Sequence, residues 1–80
     1  MQIKDAIAIR FQEICERRKI KFNELANLSG VTPSTVYSMM DKKRKDVSIR
    51  TIKKLCDGLN ITVVEFFDCE LFESLEQEIR

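Results

Sequence analysis

Eighty residues make one domain, spanning 1–80, that buries only about 60% of the surface exposed by its unfolded chain, so its core is small. Hydrophobic residues at 44% and charged residues at 34% describe a soluble globular protein, and no apolar run approaches the roughly 20 residues that span a bilayer. The net charge of +1 is uneven: residues 1 to 56 hold thirteen Lys and Arg against six Asp and Glu, whereas residues 57 to 80 hold Arg80 against seven acids.

Ile3, Ile7, Phe11 and Ile14 recur at steps of four, four and three, which predicts a first helix from Ile3 to about Arg18 with one apolar face. Leu25, Ala26 and Leu28 mark a second helix of about two turns, from Phe22 to a left-handed stop at Gly30, after which Val31 points inward. Thr32 is placed to cap a third helix with its hydroxyl. Pro33 fits the first helical position, and Val36, Met39 and Met40 form the inner face. Ser48 opens a fourth helix in which Ile52, Leu55, Cys56 and Leu59 repeat at helical spacing up to about Gly58. Thr62 with Glu65 makes a capping box for a short fifth helix carrying Val64, Phe66 and Phe67. No segment alternates with period two, so the chain is expected to be all-α.

Catalysis and metal binding find no support in the residue types. Histidine is missing, Cys15, Cys56 and Cys69 are odd in number without a CxxC pair, and the carboxylates are scattered over solvated faces. Free cysteines of this kind are expected as small buried hydrophobes, and no cofactor or enzyme activity is expected. The first ten residues carry Lys4, Asp5 and Arg10 through their apolar positions, unlike a secretion signal, so the cytoplasm is the expected compartment. A basic body with an acidic tail suits a polyanion approached from one side. The run KKRK, Lys42 to Lys45, directly after the third helix sharpens that expectation.

The stretch ELANLSGVTPSTVYSMM bends two short helices about a glycine, with Ala26, Gly30, Val31, Val36 and Met39 at the small and apolar positions such a crossing needs. This spacing resembles the helix-turn-helix of DNA-binding repressors, over about 22–40. The frame around it, including SIRTIKKLCDGLNITVVEFFD, resembles the lambda-repressor-like (Xre-type) family from roughly Ile7 to Phe67. The resemblance implies a compact five-helix DNA-binding domain whose third helix enters the major groove of double-stranded DNA. On that mapping Thr32, Pro33, Ser34, Tyr37 and Ser38 face the bases. Lys21, Thr35, Lys42, Lys43, Arg44 and Lys45 face the phosphates. Ser34 and Ser38 can each donate or accept, so they read bases more tolerantly than a bidentate Arg or Gln would. Two departures from the family stand at the start of the second helix: Lys21 occupies a position often held by a capping Ser or Thr, and Phe22 one commonly held by Gln. Cys15 and Met40 stand where many relatives pair an Arg with a Glu, which suggests an apolar contact in place of an ion pair.

The acidic amphipathic segment of about 69–80 follows, with Leu71, Phe72, Leu75 and Ile79 at helical steps. It reads either as a short sixth helix completing the core or as a homodimer contact made by Phe67, Leu71, Phe72 and Leu75. The smallness of the core favours the dimer. The expected function is a sequence-specific transcriptional regulator, a repressor, with no small-molecule effector implied. The alternative is a helical protein-interaction module that has lost DNA binding. Phage-type repressors, restriction-modification controllers and antitoxins all share the pattern, which leaves the operator and the biological setting open.

Overall fold

A computed structural model describes residues 1–79. The helices are α1 Ile3–Arg18, α2 Phe22–Ser29, α3 Pro33–Met40, α4 Ile49–Gly58 and α5 Val63–Phe67. No strand occurs among the described residues, in agreement with the expected all-α fold. None of these helices is long and apolar enough to cross a membrane.

Three of the helices stop in the same way. Lys19, Gly30 and Asn60 each take the left-handed conformation, at φ of 57°, 68° and 58°. The residue after each donates its N–H five residues back: Ile20 to the Cys15 carbonyl (3.0 Å), Val31 to Ala26 (3.1 Å) and Ile61 to Cys56 (3.0 Å). These bonds satisfy carbonyls that a helix end leaves without partners. The residue that closes each motif is β-branched and apolar, and Ile20, Val31 and Ile61 all pack against the core. Every one of these chain reversals is thereby anchored from inside.

The core gathers Ile7, Phe11, Ile14 and Cys15 from α1, Leu25 and Ala26 from α2, Val36 and Met39 from α3, and Ile52, Leu55 and Cys56 from α4, with Leu59 and Phe66. The rings of Phe11 and Phe66 lie 4.3 Å apart at their centroids. α2 packs against both α3 and α4, so the bent pair is held from a third side. Cys15 belongs to this cluster and half-buried Met40 packs on it, while the Met40 sulfur accepts from Gln12 Nε2 at 3.6 Å. Burial pushes the Cys15 and Cys56 thiols above their ordinary range, which keeps them protonated and unreactive at neutral pH.

Three cations of α1 have roles that their sequence positions do not announce. Lys4, only 4% exposed, donates from Nζ to the carbonyl of Asp41 at the end of α3, at 2.6 Å. Arg10 donates from Nε to Phe66 O (2.9 Å) and from Nη2 to Glu65 O (3.1 Å), at the end of α5. Arg18 donates to the carbonyl of Leu59, at the end of α4. None of α3, α4 and α5 carries a basic residue in its own last turn. The positive charge that a helix C-terminus favours arrives instead from α1. Part of the basic excess of the body is therefore structural.

The C-terminal segment departs from the helical expectation. It forms one 3₁₀ turn, Glu70–Phe72, and no regular helix from there to 79. Phe72 turns back onto the core, with its ring 4.8 Å from Phe67 and 5.9 Å from Phe66. The Glu76 N–H then reaches the Met1 carbonyl at 3.0 Å, and its carboxylate lies 3.2 Å from the chain's amino group. A segment this short is a marginal helix alone, and Glu70, Glu73 and Glu76 would repel one another at three-residue spacing. Packing the Phe72 ring offers more than finishing a helix. Arg80, the last residue of the expected segment, lies outside the described residues.

Candidate nucleic-acid interface

Val36 and Met39 root α3 in the core, which turns the opposite side of the helix outward. Thr32, Pro33, Ser34, Tyr37 and Ser38 are exposed, and Thr35 is half-buried beside them. Thr32 precedes the helix in an extended conformation, as an N-cap residue should, but its hydroxyl does not cap the backbone as expected. It lies 3.0 Å from Ser34 Oγ and 3.0 Å from Thr35 Oγ1. A local hydroxyl cluster outcompetes the cap because three rotatable hydroxyls can satisfy one another. Each of these hydroxyls can turn to donate or to accept.

The N-terminus of α2 flanks this surface. Its cap residue Lys21 is exposed, and the Lys21 N–H donates to Glu24 Oε1 at 3.3 Å. Only this half of a capping box is chemically available, because a lysine side chain has no acceptor to return the bond. Phe22 is half-buried on the core, and its ring meets Tyr37 edge-on with centroids 5.9 Å apart. Where a polar residue would face solvent, this chain instead ties the start of α2 to the middle of α3. Tyr37 is thus partly a packing residue, although it remains 53% exposed.

Beyond α3 the loop carries Lys42, Lys43, Arg44 and Lys45, all exposed. Its first turn is built on Asp41, whose Oδ1 accepts from Lys43 N (2.9 Å) and whose carbonyl accepts from Arg44 N (3.0 Å). The chain then enters α4 at Ser48, whose hydroxyl accepts from Thr51 N at 3.0 Å. One open groove is lined by Ser34, Thr35 and Ser38 of α3, by Arg44 and Asp46 of the loop, by the cap residue Ser48 and by Thr51 of α4. The fold therefore brings together three of the residue sets that chemistry requires here: hydroxyls, a guanidinium and a helix start. Ser48 and Thr51 were not among the expected contacts. The signal that points to them is the first turn of α4, which lacks an acid and carries exposed Arg50 where a helix favours anions.

Among the described residues no group of three or more His, Cys, Asp or Glu gathers to hold a metal ion. The two-helix bend, the exposed hydroxyl face and the adjoining basic loop define the surface of a helix-turn-helix protein. The Cro/C1-type HTH DNA-binding domain matches residues 10–71, and the chain belongs to that family. This makes it a DNA-binding regulator by family, and the family is not one of enzymes. Among solved structures, the crystal structure of the prophage Lp1 protein 11 is similar at a TM-score of 0.82 and 29% identity, covering 94% of this chain and 100% of that one. No curated protein matches the sequence.

Proposed function

We propose that the chain is a sequence-specific repressor of transcription that acts on cytoplasmic double-stranded DNA, with α3 in the major groove and the basic loop on the backbone. The observation that carries this reading is the single groove in which Ser34 and Ser38 of α3 face Arg44 of the loop. Base-reading and phosphate-gripping groups then meet the duplex together. Thr32, Pro33 and Tyr37 complete the base-facing set, and Lys21, Thr35, Lys42, Lys43 and Lys45 the phosphate-facing one. The similar solved structure is that of a prophage protein, which favours a phage-type regulator over a restriction-modification controller or an antitoxin.

The repressor is proposed to act as a two-fold homodimer, because one two-turn reading helix with small side chains offers too little contact to select a site. Two reading helices would enter successive major grooves about 34 Å apart. The C-terminal segment is the proposed contact. Of its four expected residues, Phe67 and Phe72 pack edge to face on each other, which leaves the half-buried Leu71 and Leu75 as the positions to test. Selection of bound sequences from a random duplex pool should return an inverted repeat, and Ser34→Ala or Ser38→Ala should relax preference at one or two base positions by about 1 to 3 kcal/mol at most. Leu71→Asp with Leu75→Asp should give a folded monomer on sedimentation. A pool that returns no sequence preference, or a wild-type monomer that binds single half-sites, overturns the respective part.

A further inference from the structure

The buried lysine at the start of α1 meets the reading surface at one atom. Asp41 is the cap residue of α3, and it makes four hydrogen bonds that together define the end of the reading helix and the start of the basic loop. Its N–H donates to Ser38 O at 3.2 Å, and its carbonyl accepts from Arg44 N at 3.0 Å. Its carboxylate accepts from Lys43 N at 2.9 Å, and its carbonyl accepts also from Lys4 Nζ at 2.6 Å. Three of the four bonds lie within the segment itself. Of these four, the bond from Lys4 is the one that ties the junction to another part of the fold, 37 residues away, beside the packing of Met40 and Val47 on the core.

We infer that Lys4 is a positioning residue for DNA binding: from α1 it holds the junction between the reading helix and the phosphate-gripping loop, through the Asp41 carbonyl. The inference rests on the proposed DNA-binding surface. Between Met40 and Ile49 the chain has turns but no helix, so the placement of Lys43 and Arg44 relative to Ser34 and Ser38 depends on how that junction is held. α3 also ends unfavourably by itself. Asp41 puts a negative side chain at a helix C-terminus that favours cations, and no basic residue lies in the helix's last turn. The Lys4 ammonium supplies the missing charge from a side chain that is itself buried, on a bond that is partly shielded. A lysine that is 4% exposed cannot itself grip a phosphate, so any effect it has on DNA binding passes through Asp41.

Lys4→Met keeps the stem and removes the charge, and Lys4→Arg keeps the charge. The probes are a fluorescent duplex of random sequence and the duplex selected from a random pool, each titrated across a salt series, with amide hydrogen exchange on the free protein. For Lys4→Met the affinity for the selected duplex is expected to fall about tenfold or more, as for loss of a charge-assisted hydrogen bond. The slope of log affinity against log salt is expected to shrink by roughly 0.9 for each phosphate contact released. Exchange at the Lys43 and Arg44 amides should quicken while amides of α4 and α5 stay protected. Lys4→Arg should restore the slope. A Lys4→Met protein that melts lower yet keeps the wild-type slope and the wild-type exchange at Lys43 and Arg44 has lost only stability, and overturns the inference. If Lys4→Met does not fold, Lys4→Gln decides: an unchanged salt slope and unchanged exchange at Lys43 and Arg44 in that variant overturn the inference. Wild-type protein that ignores both duplexes refutes the DNA-binding reading, while the exchange arm still reports whether Lys4 orders the loop.

Discussion

Gly58 lies directly against Ser29: a Cβ at Gly58 would stand 2.1 Å from the Ser29 hydroxyl and 2.9 Å from the Ser29 Cα and N. This close approach of α4 to α2 sets how deeply the bent pair is seated. Ser29 Oγ is buried there with no hydrogen-bond partner among the described residues. Gly58→Ala should cost about 1 to 3 kcal/mol, because backbone cannot yield as a side-chain tip can. Ser29→Ala should stabilise by about 1 kcal/mol by removing an unpaired hydroxyl. Urea midpoints at constant slope check both. The pair combined should remain destabilised, since the Cα and N contacts survive the loss of the hydroxyl.

Arg10 fastens α5 with two bonds to consecutive carbonyls, and its guanidinium lies 6.0 Å from the centre of the Phe66 ring. Lysine cannot reproduce a planar two-donor fork. Arg10→Lys is expected to lower stability by about 1 to 2 kcal/mol. Near-ultraviolet signals of the phenylalanine cluster should weaken before α1 melts.

Lys19 is a lysine in a left-handed conformation, where a Cβ is crowded by the following carbonyl. Lys19→Gly relieves that strain but frees the unfolded chain, so the net gain expected is up to about 1 kcal/mol. Asn60→Gly should gain less, because asparagine tolerates that region. Thermal melts of the two variants rank them.

The basic loop should act on every DNA sequence alike, since phosphates carry no sequence. Lys43→Ala with Arg44→Ala is expected to weaken selected and random duplexes together. The salt slope should fall by roughly 0.9 for each charge removed. A slope that stays constant would mark the loop as merely solvated and would favour a protein-interaction module.

Glu65 connects acid stability to the start of α5. Its carboxylate accepts from the Thr62 N–H at 3.0 Å, and the Thr62 hydroxyl accepts from the Glu65 N–H at 3.0 Å. The bond from the Thr62 backbone, and then the Thr62 side chain, hold the Glu65 carboxyl below its ordinary range. A lowered carboxyl stabilises the fold above its unfolded value, and that stability is lost as pH falls through the folded one. Glu65→Gln should flatten this acid-side slope in urea titrations by lowering stability at neutral pH toward the acid value, with stability below the folded carboxyl's titration left nearly unchanged.

What the sequence determined by itself was most of what depends on near neighbours, the Thr32 hydroxyl, which bonds Ser34 and Thr35 instead of capping α3, being the exception. The stop at Gly30, the proline opening of α3 and the Thr62–Glu65 box involve residues within a few positions of one another, and periodic apolar residues announced all five helices. The acidic segment after Phe67 misled because a helical repeat shows which faces are apolar, not what those faces will pack on. Phe72 found the Phe66 and Phe67 rings and left the helix unfinished. Only the tertiary structure decided the roles of Lys4, Arg10 and Arg18, which in sequence look like ordinary surface charges on α1. Their partners lie 37, 55 to 56 and 41 residues away. A carbonyl at a helix end exists at no sequence position until the helix has ended, so which cation reaches it is settled by packing alone.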